Sequence, residues 1–255
     1  MMGAKFRYLG LLLRYNLKGL SDHWRRGLAS AATMLVQNIL LFASWIVLFH
    51  AVGSIRGWQL PQIWLLYGLI FLSQGLALFL TEGIRHIARK VDNGELDLCL
   101  ARPAHPLPQL FLDRCSPGNL GDMLCGLIFL LGPAGLPLPQ IALALAAAIL
   151  LALLMIGAIL LYQSLAFFIR GGTQLADYLF DGIWYFSQTP QEGQGWLVKI
   201  ILFTVLPAGF INIFSVALIE RTAILWLGGL ALVAAGYLAL AVVVFNAGVK
   251  RYVWA

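Results

Sequence analysis

The chain has 255 residues, of which 61% are hydrophobic and only 11% charged, with a formal net charge of +6 and a mean hydropathy of +0.86. Soluble domains average about 25% charged residues, and so much apolar surface cannot be hidden in one water-soluble core. A hydrocarbon layer about 30 Å thick needs roughly 20 apolar residues of helix, and several runs reach that length, so the composition reads as an all-α polytopic membrane protein.

Residues 1–30 form a basic leader. At about 100° per residue, Phe6, Leu9, Leu13, Leu17, Leu20 and Trp24 fall on one side of a helix, and Arg7, Arg14, Lys18 and Arg25 on another. Such a helix lies on a membrane surface, with lipid headgroups as partners. Arg14 and Lys18 interrupt the apolar core that a signal peptide needs, and no small-residue cleavage site follows, so the leader is expected to be retained.

Apolar runs bounded by polar breaks predict spans at about Ala31–Gly53, Ile63–Leu80, Leu120–Leu138, Gln140–Ile169 and Ala223–Phe245. The stretch before the last span admits two readings. Either Thr173–Gln188 crosses and Trp196–Leu218 is a hairpin bent at Pro207, or the first part lies on the surface and the second crosses. Both give six crossings. Cytoplasmic loops retain Lys and Arg, and the count assigns fourteen of them to one side, in the leader, in the loop after the second span, and at Arg170, Lys250 and Arg251. The other side holds Arg56 and Arg221, with Lys199 depending on the ambiguity. Both termini are therefore expected in the cytoplasm, and no nucleic-acid partner is expected.

The loop over residues 81–118 is the most structured polar segment. "TEGIRHIARKVDNG" predicts a short helix carrying Arg89 and Lys90 in its last turn and stopping at Asn93-Gly94. Leu96, Leu98 and Leu100 then alternate with Glu95, Asp97 and Cys99, a period of two that suits a strand, but with no partner strand in sight a short helix is expected. Pro103, Pro106 and Pro108 force a rigid turn, and Asn119 with Asp122 reads as the cap of the third span. The result is a compact elbow. The plainer alternative is a passive connector, since any loop between spans must be polar.

No G-x-x-x-x-G-K-[ST] occurs, so the chain has no usual cradle for nucleotide phosphates. His23, His50, His86 and His105 are scattered, with no H-E-x-x-H and no G-x-S-x-G, which argues against an intramembrane enzyme. Cys99, Cys115 and Cys125 lack metal-site spacing and read as free thiols. Asp177 and Asp181, four apart on one helical face in or near the membrane, are candidates for a translocation pathway. They also carry the alternative function, an ion-coupled secondary transporter, against which no inverted repeat is evident. Glu82 is expected to pair with Arg85 or Arg89.

"NGELDLCLARPAHPLPQLFLDR" resembles the G-x-L-D-x-L-L-x-R-P-x-x-P-L-x-Q-L loop of bacterial ABC transporter permeases of the type-2 exporter class. "GWLVKIILFTVLPAGFINIFSVAL" is similar to that family's segment before the last helix, although Cys99, Ala101 and Ser215 depart from the pattern. The resemblance implies a six-helix permease subunit of an ATP-driven exporter in the bacterial plasma membrane. It would work as a dimer, with a second copy or a paralogous permease, and with separate ABC ATPase subunits. ATP and Mg would bind on those partners, with no cofactor on this chain. By the same resemblance, residues 1–30 are the interface helix, 81–118 the coupling loop and 190–219 a re-entrant exit hairpin, which makes Thr173–Gln188 the fifth crossing. Glu95, Leu96, Asp97, Leu98, Arg102 and Pro103 become candidate contacts to the ATPase, Leu96 and Leu98 seating the loop while Glu95, Asp97 and Arg102 orient it.

Overall fold

The computed structural model describes residues 2–22, 24–55, 57–102, 104–189, 195–219 and 223–254. Among them there are helices and no strands, apart from an isolated bridge between Ile55 and Trp58. In chain order the helices are α1 (Met2–Asp22), α2 (Trp24–Val52), α3 (Leu60–Phe79), α4 (Ile87–Asp92), α5 (Leu96–Leu100), α6 (Pro106–Phe111), α7 (Asn119–Leu131), α8 (Leu138–Ser164), α9 (Gly172–Ser187), α10 (Trp196–Thr204), α11 (Gly209–Ile219) and α12 (Ala223–Trp254). Single 3₁₀ turns follow α3 at Glu82–His86 and α8 at Leu165–Phe167.

Four helices are long and apolar enough to cross a membrane: Trp24–Val52, Leu60–Phe79, Leu138–Phe167 and Ile224–Val253. Helices α10 and α11 together make a fifth apolar stretch, bent by 96° at the break that contains Pro207. Two of the expected spans, α7 and α9, are shorter than a hydrocarbon layer about 30 Å thick, and of these only α7 is shorter than the sequence predicts. The third was expected to continue to Leu138, but α7 stops at Leu131 because Gly132 leaves the helical region ahead of Pro133, which disfavours helix in the residue before it. Its 13 residues reach only about 20 Å. Helix α9, with 16 residues, reaches about 24 Å. The leader also differs, since α1 ends at Asp22 and Trp24 and Arg25 belong to α2.

Side-chain neighbours fix the relative directions. Gly118 and Gly121 of the α7 start meet Ser30 and Ala31 of α2, and Phe129 further on meets Phe42, so α2 and α7 run the same way. Gly75 lies over Met123 and Gly68 over Leu130, so α3 runs opposite to α7. Phe180 packs on Arg85, Trp184 on Phe71, and Gln188 on Tyr67, so α9 also runs opposite to α3. Gly157 abuts Tyr237, and Phe167 abuts Gly248, so α8 and α12 run together.

The core sits around α3 and α8. Of the most apolar window in each, 72% and 61% of residues are buried, against 17% in α2 and in α12. Close approach depends on glycine: a β-carbon at Gly126 would lie 2.5 Å from the backbone nitrogen of Leu72. An aromatic cluster of Phe42, Trp64, Tyr67, Phe71, Phe129 and Trp184 joins α2, α3, α7 and α9. Trp45 enters it by donating its indole N–H to the Tyr67 hydroxyl at 2.5 Å.

Candidate functional site: the elbow between α3 and α7

The segment from Glu82 to Gly118 gathers at one pole. The ends of α3, α8 and α12 and the starts of α7 and α9 meet it there. At its entry the carboxylate of Glu82 lies 3.8 Å from Arg85 and 3.9 Å from His86, and the Arg85 guanidinium stacks 3.9 Å over the ring of Phe180. Pairing of Glu82 with Arg85 is as the sequence predicts. Burial raises the carboxyl pKa of Glu82, opposed by Arg85, by the facing Asn119 amide and by Arg114. Burial also lowers His86, assisted by the positive charges of Arg114, Arg89, Arg85 and Lys90.

Helix α4 is bolted to α8 and α9. The Ala88 backbone N–H donates to the buried Gln163 side chain at 2.9 Å, and the Thr173 hydroxyl donates to Asp92 at 2.6 Å. After Gly94, whose φ of 73° needs glycine, α5 forms as a helix and not a strand. The alternating leucines therefore do not share a face. Leu96 and Cys99, one turn apart, point into the protein, while Leu98 is 66% exposed.

Past α5 the turn is held by Gln109, a buried side chain whose amide N–H₂ donates to the carbonyls of Cys99 at 3.0 Å and Ala104 at 2.8 Å. The hydroxyl of Tyr8 on α1 donates to Gln109 at 3.3 Å, and Arg102 donates to the same hydroxyl at 3.3 Å. Asn16 of α1 donates to the Leu112 carbonyl. Lys90 and Asp113 close the loop across its base at 2.5 Å. From the far end of the chain, Tyr252 of α12 packs against the cluster that holds Ile87, Ala88 and Leu96, and the nearby Asp97 carboxylate helps burial to raise its hydroxyl pKa.

Of the candidate contact residues, Glu95, Asp97, Leu98 and Arg102 lie exposed on the outside of the elbow. Leu96 is fully buried within its own chain, and Pro103 lies outside the described residues. Asp177 and Asp181 are elsewhere. They flank Phe180 on α9, Asp177 half-buried and Asp181 exposed, beside the exposed Tyr178 and Tyr185. No group of three His, Cys, Asp or Glu able to hold a metal exists among the described residues.

Three arrangements have no signal in the sequence. The first is a buried pair, in which Asn38 of α2 donates to Asp122 of α7 at 2.6 Å. Asp122 was expected to cap α7 with Asn119, but Gly118 holds the N-cap position and makes no side-chain bond. The second is the Gln109 staple. The third lies at the α10–α11 break, where the hydroxyl of Tyr162 on α8 donates to the Val205 carbonyl and that of Tyr237 on α12 to the Thr204 carbonyl. These carbonyls end α10 and lack helical partners, because the chain turns before Pro207.

Comparison with protein-family models matches residues 35–255 to the family described as ABC-2 family transporter protein. The chain belongs to the ABC-2 transporter family. The match begins within α2 and takes in every later element to the end of α12, and so includes the elbow and the bent pair. No curated protein and no solved structure matches the chain. As an ABC-2 family member it is a membrane permease, a transport component of an ABC transporter, whose own sequence carries no phosphate-binding loop.

Proposed function

We propose that this permease forms the translocation pathway of an ATP-driven exporter, as a dimer with itself or a paralogous chain, coupled through the elbow to separate ATPase subunits. One observation carries the coupling: the elbow is hydrogen-bonded to α8 through Gln163 and packed against Tyr252 of α12, yet presents Glu95, Leu98 and Arg102 outward. A partner that moves this elbow moves two long helices with it. Rigid-body closure of an ATPase pair needs such a stiff protrusion, with an apolar residue to seat and charges to orient. Leu98 seats, Glu95 and Arg102 orient, and Leu96 holds the helix in place from inside. Pro103 remains a candidate contact by its place in the loop signature alone.

In this reading the whole chain, 1–255, is one permease domain of six crossings in the bacterial inner membrane. Helices α2, α7 and α9 run outward, and α3, α8 and α12 return, which agrees with the charge count and puts both termini in the cytoplasm. The bent α10–α11 pair, within 190–219, is the re-entrant exit hairpin, with Tyr162 and Tyr237 satisfying the carbonyls that the break frees inside the membrane. Asp177 and Asp181 line the path beside Tyr178 and Tyr185. ATP and Mg bind on the partner.

Purification of the tagged chain in mild detergent from its own host is expected to bring along a polypeptide with a phosphate-binding loop. Glu95→Lys combined with Leu98→Asp is expected to reduce that recovery by about tenfold. Recovery of the permease with no such partner, or undiminished recovery with the double variant, would overturn the coupling.

A further inference from the structure

The end of α9 is capped from another element. Ser187 closes that helix, so its carbonyl has no helical partner, and the buried Asn212 of α11 donates its side-chain amide to it at 3.4 Å. The next residue, Gln188, is reached from α3. Trp45 of α2 donates to the Tyr67 hydroxyl at 2.5 Å, and that hydroxyl donates to the Gln188 Oε1 at 3.5 Å. Four elements therefore meet at residues 187 and 188. Both contacts made to them exceed the roughly 2.7–3.2 Å of a well-made hydrogen bond, so the joint is loose.

Three polar atoms in this joint are buried without a hydrogen-bond partner among the described residues: the Ser187 Oγ, the Gln188 Nε2 and the Asn212 Oδ1. Ser187 is 1% exposed and Asn212 4%. Orphaned atoms of this kind are costly, and three in side chains already linked to one another call for a shared partner. Their chemistry restricts it. The Gln188 Nε2 only donates, the Asn212 Oδ1 only accepts, and the Ser187 hydroxyl does either. A cation would face the Gln188 N–H groups, and an anion would face the Asn212 oxygen. A small neutral group that both accepts and donates suits all three. We propose that Ser187, Gln188 and Asn212 hold one ordered water, which accepts from Gln188, donates to Asn212 and so joins α11 to the end of α9. Three protein partners are the usual complement of a buried water, and the long contacts leave slack for it. The consequence is mechanical. Helix α11 is half of the bent pair, and its tie to α9 runs through an exchangeable molecule. The inference needs only the fold, and neither an ATPase nor a direction of transport.

The test uses the full-length protein in phosphatidylcholine nanodiscs, whose lipid has no hydroxyl to take the water's place, with radiolytic hydroxyl labelling read by mass spectrometry. Radicals form from the ordered water itself, so a neighbouring side chain is labelled although bulk solvent does not reach it. Tyr67 and Phe71 lie about one turn apart on α3 and are both fully buried. Tyr67, through its contact with Gln188, is expected to be labelled about tenfold faster than Phe71. Ser187→Ala, which removes one partner without filling the space, should bring Tyr67 down to the level of Phe71 and lower the thermal midpoint by about 2–4 °C. Ser73→Ala, at a buried hydroxyl that already donates to the Ile70 carbonyl, should leave the labelling of Tyr67 unchanged. Equal labelling of Tyr67 and Phe71 in the wild type, Tyr67 labelling indifferent to Ser187→Ala, or a thermal midpoint that does not fall with that change, the sign of a dry orphan, would each overturn the proposal.

Discussion

At the scale of single residues, polar side chains inside the bundle decide how the helices register. Asp122 is 2% exposed and accepts a hydrogen bond from Asn38, so the two side chains hold α2 to α7 in a single alignment. Removing one partner strands the other. Asn38→Leu is expected to destabilise the protein by about 1–3 kcal/mol, and Asn38→Leu with Asp122→Leu by less than the single change, because an apolar pair leaves nothing unsatisfied. Unfolding in detergent micelles measures both. His86 gives a pH dependence. Its pKa is held below the usual value, so the unfolded chain binds this proton more tightly, and the contribution to stability is fully present above about pH 6.5 and lost as pH falls below it. His86→Gln is expected to flatten the fall in thermal midpoint between about pH 7 and pH 5. Neither arrangement is legible in the sequence. Asn38 and Asp122 are 84 residues apart and share no spacing rule, and His86 is one of four scattered histidines until the elbow folds four cations around it.

At the scale of elements, run length alone found the long helices. The spans now called α2, α3, α8 and α12 lie where continuous apolar residues put them, since a bilayer demands length before anything else. Short elements were harder to read. In α5 the alternating leucines look like a strand, but one turn of helix satisfies the backbone locally and sends Leu96 and Leu98 to opposite sides. Where α7 stops was legible in Gly132-Pro133 but was outweighed by the apolar residues beyond. The elbow's stiffness rests on Gln109, and Gln109→Leu is expected to expose the Cys99 thiol, now 5% exposed, raising its maleimide labelling about tenfold while Cys115 changes little. The α10–α11 break depends on two hydroxyls. Tyr162→Phe with Tyr237→Phe removes both without changing volume and is expected to broaden the distance distribution between spin labels at Lys199 and Ile213, each single change doing less.

At the scale of the whole molecule, the charge asymmetry in the sequence and the geometry of the fold describe the same pole. Elements separated by long stretches of chain converge there: α1 through Tyr8, α8 through Gln163, α9 through Thr173, and α12 through Tyr252. The sequence located the elbow by its polarity and prolines. It could not reveal these attachments, because each joins residues whose types are ordinary in isolation. If the elbow moves as one body with α8, Gln163→Leu is expected to leave the chain folded but to loosen α4 from α8, seen as faster amide exchange across Ala88–Asp92 than at the α8 core. Unchanged exchange there would mean that α4 is held by packing alone.

The burial of α3 has a consequence for biogenesis. It is the most enclosed of the four long apolar helices, yet it leaves the ribosome before α7 and α8, and its glycine-lined surface waits for them until the elbow has emerged. During that interval Ser73 and the faces at Gly68 and Gly75 lie open to lipid or to an insertase. Substitutions at Gly126, where α7 meets the backbone of Leu72, should therefore register as rapid proteolysis of the newborn chain rather than as an idle transporter in the membrane.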